Sequence, residues 1–231
     1  MKNIYKTILF TSSILLSSLS FAQFGGLGGL KDAMGGGDSS GGGNALALQA
    51  ELILGMSVAM NSFLKADAKF MSAIGQDAEA KKLLNLVEEP SENDKKLEAK
   101  IKASGEADIK MQSFIDSGKE LSAEGKKDLA EGLLPYAIGM ASMIKMAKVA
   151  PEFLQASVDE IKSIKNPMQI VKVKKQFDLG VKTGKKVPDL FKKLGASSKK
   201  LFGFAKANKI DMKKVQSDAK KAGAADGIPS M

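Results

Sequence analysis

The stretch ALALQAELILGMSVAMNSFL, from Ala45 to Leu64, is 20 residues long and carries one charge, Glu51. A helix of this length can span a bilayer, so the stretch predicts either a membrane segment or a buried helix of a bundle. Beyond Leu54 its large apolar residues narrow to one helical face, which continues past the stretch: Ile53, Met56, Met60, Phe63, Phe70 and Ile74. A span in lipid stays apolar on every side, and a charge at mid-membrane costs roughly 2–3 kcal/mol. The pattern therefore favours a buried bundle helix, with membrane insertion as the alternative.

The chain that follows is rich in Ala, Leu, Lys, Glu and Met and has no convincing hairpin signals. Asn44 can cap the first helix, and Gly75 can end it. Ser122 can cap a later helix, and Asn166-Pro167 is a strong helix start. We expect Pro151 in a first helical turn and Pro188 at a helix start or kink. The predicted fold is all-α: a bundle of about six to eight helices, one or two of them long.

The N-terminus has the layout of a secretory signal peptide. Lys2 and Lys6 form a basic start, an apolar and Ser-rich run follows, and Ser20-Phe21-Ala22 supplies the small residues of a cleavage site. The chain is therefore expected to be exported, to the periplasm or, alternatively, outside the cell. The predicted organisation is a signal peptide (1–22), a flexible Gly-rich segment (23–44), a helical bundle (45–222) and a flexible tail (223–231).

Several residue types that carry chemistry are missing. The sequence has no His and no Cys, and all 35 of its basic residues are Lys. His and Cys are the usual nucleophile partners and metal ligands, and Arg is the usual bidentate clamp for phosphate or carboxylate. We expect a protein that is not an enzyme, with no cofactor and no metal site. Ser-x-x-Lys occurs at Ser62 and Ser197, but its companion motifs do not, so both matches indicate chance.

The charges are unevenly distributed. Residues 23–144 hold 13 Lys against 18 acidic residues, whereas residues 145–231 hold 20 Lys against 8. The simpler interpretation is that the two halves pack with complementary fields. The sharper one is a face for an anionic partner, formed by Lys172, Lys175, Lys182, Lys185, Lys186, Lys192, Lys193, Lys199 and Lys200. Export and the absence of Arg disfavour nucleic acid as that partner.

Methionines recur at helical spacing, at Met56 and Met60 and again at Met140 and Met143. Thioethers adapt to varied apolar partners, so these four residues could line an apolar binding groove, although methionines on an apolar stripe are ordinarily core. A second apolar run, residues 132–144, is too short to span a bilayer.

Two functions follow from these patterns. The first is an exported, non-enzymatic helical bundle that acts as an envelope adaptor, scaffold or chaperone-like binder of a protein partner or an anionic envelope surface. The alternative is a membrane-active protein in which residues 45–64 and 132–144 insert and the Lys-rich half attracts anionic lipid.

Overall fold

The computed structural model describes residues 42–229, and this part of the chain is helical with no β-strand. The elements are α1 (Gly42–Ala73), α2 (Asp77–Leu84), α3 (Leu97–Asp116), α4 (Ala123–Ser163), α5 (Pro167–Ala207), α6 (Met212–Lys221) and a 3₁₀ turn (Ala225–Gly227). The prediction of an all-α bundle with long helices is confirmed. The predicted signal peptide and residues 23–41 of the Gly-rich segment lie outside the described residues.

The opening stretch forms most of α1, which is the central helix of the bundle. It packs against α2, α3, α4 and α5. Leu52, Ile53 and Met56 are fully buried, whereas Glu51 sits at a partly exposed position. The helix is apolar nearly all round because other helices surround it, so burial in a bundle accounts for the pattern.

The closest packing is between α1 and α4, which run antiparallel. Glycines of α4 provide the space: a Cβ at Gly132 would lie 2.4 Å from the Phe70 ring, and one at Gly139 would lie 2.9 Å from the Phe63 ring. The two glycines are seven residues apart, as are the two phenylalanines. Each ring therefore fills the gap that a missing side chain leaves on the facing helix.

Three local signals at the helix ends match the structure, whereas the expectation that Asn44 caps the first helix was wrong, because α1 already begins at Gly42. Gly75 has a φ of +76°, the left-handed conformation that glycine adopts most readily, just after α1. The Ser122 side chain accepts a hydrogen bond from the backbone N–H of Gly125, and that of Asn166 accepts one from Met168.

The expectation for Pro151 was wrong, and Pro188 does not start a helix. Pro151 lies inside α4 and Pro188 inside α5, and each of these helices is 41 residues long in total. A proline inside a helix removes one backbone hydrogen bond. Near Pro151 the flanking Met146, Ala150 and Phe153 are all buried in the core. The packing of these three side chains keeps the backbone helical at Pro151, although proline by itself favours a helix break.

The C-terminal elements return to α4. Both α6 and the 3₁₀ turn contact it. Ala224 is fully buried, and a Cβ on Gly227 would lie 1.9 Å from the carbonyl oxygen of Ala137. These residues belong to the range 223–231 that composition alone assigns to a flexible tail.

Candidate functional site

The lysines predicted to form an anionic-partner face all lie on α5. This helix carries 11 Lys and two Asp. At 100° per residue the nine predicted lysines cover roughly half of the helix circumference. All nine are exposed. The buried residues of α5, including Phe177, Val187 and Phe202, occupy the opposite side. The structure therefore brings the nine lysines together on one outward surface, which we call the Lys face.

The Lys face is partly neutralised by the acidic half of the chain. Lys186 pairs with Glu98 at 2.6 Å and Lys200 with Asp116 at 3.1 Å, and both acids belong to α3. Lys182 pairs with Asp178 of its own helix at 2.6 Å. The expected complementarity of the two halves thus exists, but it engages few lysines. Within residues 42–229, six have no carboxylate at ion-pair distance: Lys172, Lys175, Lys185, Lys192, Lys193 and Lys199.

A recess of about 450 Å³ lies in the middle of the Lys face. Its lining consists of Lys182, Lys185, Lys186, Asp189, Leu190 and Lys193. Four ammonium groups surround one carboxylate, so the recess carries a net positive charge. Ammonium groups act as compact point charges on flexible stems and do not impose the planar geometry of a guanidinium. The recess is therefore suited to a ligand whose negative charge is spread over several groups.

The loop end of the α4–α5 hairpin, residues 158–176, is a run of 19 residues with none buried, and we call it the hairpin tip. Below it, the rings of Phe153 and Phe177 meet edge to face at 5.9 Å between centroids. Both rings are buried, whereas no residue of the hairpin tip is. A groove of about 380 Å³ between α4 and α5 begins at this level, with Val158 and Lys174 in its walls.

The hairpin tip concentrates exposed apolar side chains. Five large apolar residues are exposed within the described part of the chain: Leu84, Ile109, Val158, Met168 and Val171. Three of them belong to the 19-residue hairpin tip, and Met168 is the most exposed at 75%. Met168, Val171 and Lys175 follow one another at spacings of three and four, so they share one side of α5. The end of the Lys face nearest the α4–α5 loop is therefore flanked by exposed apolar side chains.

The four methionines of the predicted groove are core side chains in this fold. Met56, Met60, Met140 and Met143 are all at most 6% exposed and belong to one apolar cluster. A groove lined by them would require α1 and α4 to separate.

A cluster of polar side chains that the sequence did not predict lies between the helices. The Ser104 hydroxyl donates to Asp67 at 2.6 Å, and the Ser197 hydroxyl donates to Asp108 at 2.7 Å. Nearby, the Ser198 hydroxyl lies 3.2 Å from that of Tyr136. These residues come from α1, α3, α4 and α5. One signal was present: Asp67 is four residues after Phe63 and three before Phe70, so it holds a core position on the apolar stripe of α1.

Burial governs the acids of this cluster. It raises the pKa of Asp67 well above the ordinary value, an effect that Ser104 opposes and the charge of Asp108 reinforces. Burial also raises the pKa of Asp108. Asp67 is 4% exposed and Tyr136 is 3% exposed. A substrate could reach Asp67 and Tyr136 only if the helices separated.

A second buried polar contact joins α1 to the segment before α3. Lys100 is fully buried and donates to Asp94 at 2.7 Å, and the Ser57 hydroxyl donates to the same carboxylate at 2.6 Å. Burial alone would raise the pKa of Asp94, but the hydrogen bonds from Lys100 and Ser57 outweigh it and hold that pKa below the ordinary value. The pair orients the loop that leads into α3.

Neither a metal-binding group of side chains nor a serine–lysine pair is present in the part of the chain that the structure describes. No group of three His, Cys, Asp or Glu side chains that could hold a metal ion occurs among residues 42–229. The Ser-x-x-Lys motif of residues 197–200 does not form a serine–lysine pair. The Ser197 hydroxyl donates to Asp108, and Lys200 pairs with Asp116. Serine and lysine are thus each held by a different acid rather than by one another.

No family model matches the sequence, and no curated protein or solved structure matches it either.

Proposed function

We propose that this chain is an exported, non-enzymatic helical bundle that acts as an adaptor or scaffold of the cell envelope and holds an anionic partner on the Lys face. The observation that carries the proposal is the gathering of nine exposed lysines on the outward side of one 41-residue helix. At 1.5 Å per residue this helix is about 60 Å long. A surface of that length and charge draws anionic partners from solution and binds them by many weak contacts.

The packing of the apolar helices also supports a binding role. Most of the stretch 45–64 is buried by neighbouring helices, and in 132–144 the residues facing α1, such as Leu133, Met140 and Met143, are buried too. Apolar surface that is already covered contributes to stability and not to recognition. Binding is therefore assigned to the exterior, where the Lys face gathers nine exposed charges of one sign.

A photo-crosslinking experiment tests this proposal. A photoreactive side chain is placed at Ala196, which is exposed between Lys193 and Lys199 on the Lys face, and in a control at Ala99, which is exposed on α3. Irradiation of the envelope fraction is expected to give an adduct from position 196 that weakens at high salt, because salt screens exposed charges. The adduct should also be lost in the variant K192Q/K193Q/K199Q.

A control variant addresses overall charge. K81Q/K95Q/K119Q removes three exposed lysines that make no ion pair among the described residues and lie outside α5. It should retain the adduct. Equal adducts from positions 196 and 99, or equal loss in both triple variants, would contradict a partner held on the Lys face.

Membrane insertion is the second candidate. Helices α1 and α4 are long and apolar enough to cross a bilayer by length and composition alone. However, 56% and 50% of their most apolar windows are buried inside the fold, so insertion would require the bundle to open. Leakage of a dye from vesicles on addition of the chain would support this candidate, and vesicles that stay intact would exclude it.

A further inference from the structure

From the hairpin tip we infer that this chain also docks end-on, through the α4–α5 hairpin, on the surface of an anionic lipid bilayer. This inference goes beyond the proposed function, because only Lys172 and Lys175 of the Lys face lie in the hairpin tip, whereas Lys199 lies about 40 Å farther along α5 than Lys172. It differs from membrane insertion, since the core helices α1 and α4 stay packed and only the exposed end of the hairpin enters the interface.

The depth of the apolar residues fits an interface. Val171 is four residues past the start of α5 and Val158 is five residues before the end of α4, so both lie about 6–8 Å from the loop end of the hairpin. Met168 lies closer still. Helices that rest on membranes bury their apolar side chains about 5–10 Å into the boundary between headgroups and acyl chains. The three exposed apolar residues all fall within that depth.

The charges surround these apolar residues in the way an anionic interface requires. The hairpin tip holds five lysines, Lys162, Lys165, Lys172, Lys174 and Lys175, against Asp159 and Glu160. Lys172, Lys174 and Lys175 follow within about one turn of Val171, at headgroup level when Val171 is immersed. Lys162 and Lys165 are exposed near the loop, and their long stems can extend along apolar surface while the ammonium groups remain in water.

The choice of a bilayer over an acidic protein follows from the kind of cation and the shape of the surface. All the cations are lysines, which bind negative charge without the fixed bidentate geometry that recognition of individual carboxylates exploits. The most exposed apolar residue, Met168, lies near the loop end of the hairpin and lines neither the recess of the Lys face nor the groove between α4 and α5. A soft, uniformly charged surface can receive such an end, whereas a protein would need a matching pocket.

Co-sedimentation with vesicles tests the docking. The chain from Gln23 onward contains the whole described bundle and is mixed with vesicles of phosphatidylcholine alone or with added phosphatidylglycerol. We expect binding only to the vesicles that contain phosphatidylglycerol, without dye leakage. Each lysine near an anionic surface contributes about fivefold in affinity, so K172Q/K174Q/K175Q should weaken binding about a hundredfold. M168Q/V171Q should weaken it about tenfold, since it leaves the charge unchanged and removes apolar contact.

Matched variants separate the hairpin tip from general properties of the surface. K81Q/K95Q/K119Q lowers the charge equally, and L84Q/I109Q removes the two exposed apolar residues outside the hairpin tip. Both should bind like the unaltered chain, and circular dichroism checks that all variants are equally helical. Absence of binding to anionic vesicles, or equal loss in the control variants, would overturn the docking. If the photo-adduct at position 196 persisted in that case and proved to be a protein, the Lys-face proposal would stand and the bilayer inference would fail.

Discussion

The glycine contacts between α1 and α4 permit a quantitative prediction. In Gly132→Ala the new Cβ would lie 2.4 Å from a ring carbon of Phe70 and 3.1 Å from the carbonyl oxygen of Ala66. Phe70 is 2% exposed and its ring packs against Tyr136 at 5.9 Å between centroids, so it has little room to move. Overpacking of this kind lowers the free energy of unfolding by roughly 1–3 kcal/mol. Because the contact with Phe70 is so short, we expect a loss of about 3 kcal/mol.

Helix propensity opposes that cost. Alanine is favoured over glycine inside a helix by about 0.8–1 kcal/mol, so Gly132→Ala should lower the free energy of unfolding by about 2 kcal/mol net. Gly105 is the matched control, because it lies inside α3 and nothing within 4 Å would meet its Cβ. Gly105→Ala should raise the free energy of unfolding by about 1 kcal/mol. The two variants should therefore differ by about 3 kcal/mol in opposite directions.

Thermal and urea unfolding followed by circular dichroism measure both effects. A change of 1 kcal/mol shifts Tm by about 2–4 °C in a chain of this size, so Gly132→Ala should lower Tm by roughly 4–8 °C and Gly105→Ala should raise it by roughly 2–4 °C. Phe70→Leu combined with Gly132→Ala should recover part of the loss, since the smaller side chain yields space. If both alanine variants raised Tm equally, the close approach of α1 to α4 at Gly132 would be refuted.

Three further predictions concern the buried polar groups and a helix cap. Burial raises the pKa of Asp67 in the fold, so the stability associated with its neutral form is complete below the ordinary aspartate pKa of about 3.9 and is lost as the pH rises through the raised value. Asp67→Asn should therefore increase the free energy of unfolding at pH 7 and flatten its pH dependence, as measured by urea titration at a series of pH values, and an unchanged profile would contradict this. Lys100→Met leaves the buried Asp94 carboxylate without its cation and should lower the free energy of unfolding by about 3–5 kcal/mol. The double variant Lys100→Met/Asp94→Leu should lose much less stability in the same assay, because it buries no unpaired charge. Ser122→Ala removes the side-chain cap of α4 and should lower the free energy of unfolding in urea by about 1 kcal/mol. An unchanged free energy of unfolding would show that the cap is not formed in solution.

Some features of the bundle could be predicted because their causes lie within one or two helical turns. Gly75 and Asn166 mark helix ends through their own backbone preferences and side-chain hydrogen bonds. The apolar stripe of α1 indicates a buried helix through spacing alone. The lysines of α5 fall on one face for the same reason, and the outward direction of that face follows from the apolar residues opposite to them.

Other features depend on residues that approach from distant parts of the chain. Gly132 is the position where α4 accepts the ring of Phe70, which lies 62 residues away in the sequence. The hairpin tip is exposed because the rings of Phe153 and Phe177 end the buried part of the α4–α5 pair. Which lysines remain without a carboxylate follows from where α3 places Glu98 and Asp116.

The sequence by itself determined the helical class of this protein, the helix ends at Gly75, Ser122 and Asn166, and the amphipathic faces of its longest helices, because backbone preference and side-chain periodicity act locally. Only the tertiary structure decided that α4 and α5 continue through Pro151 and Pro188, that Asp67 is buried beside Ser104, and that the apolar stretch from Ala45 to Leu64 is covered on nearly every side. The physical reason is that close packing outweighs local propensity wherever a residue meets a neighbour that is remote in sequence.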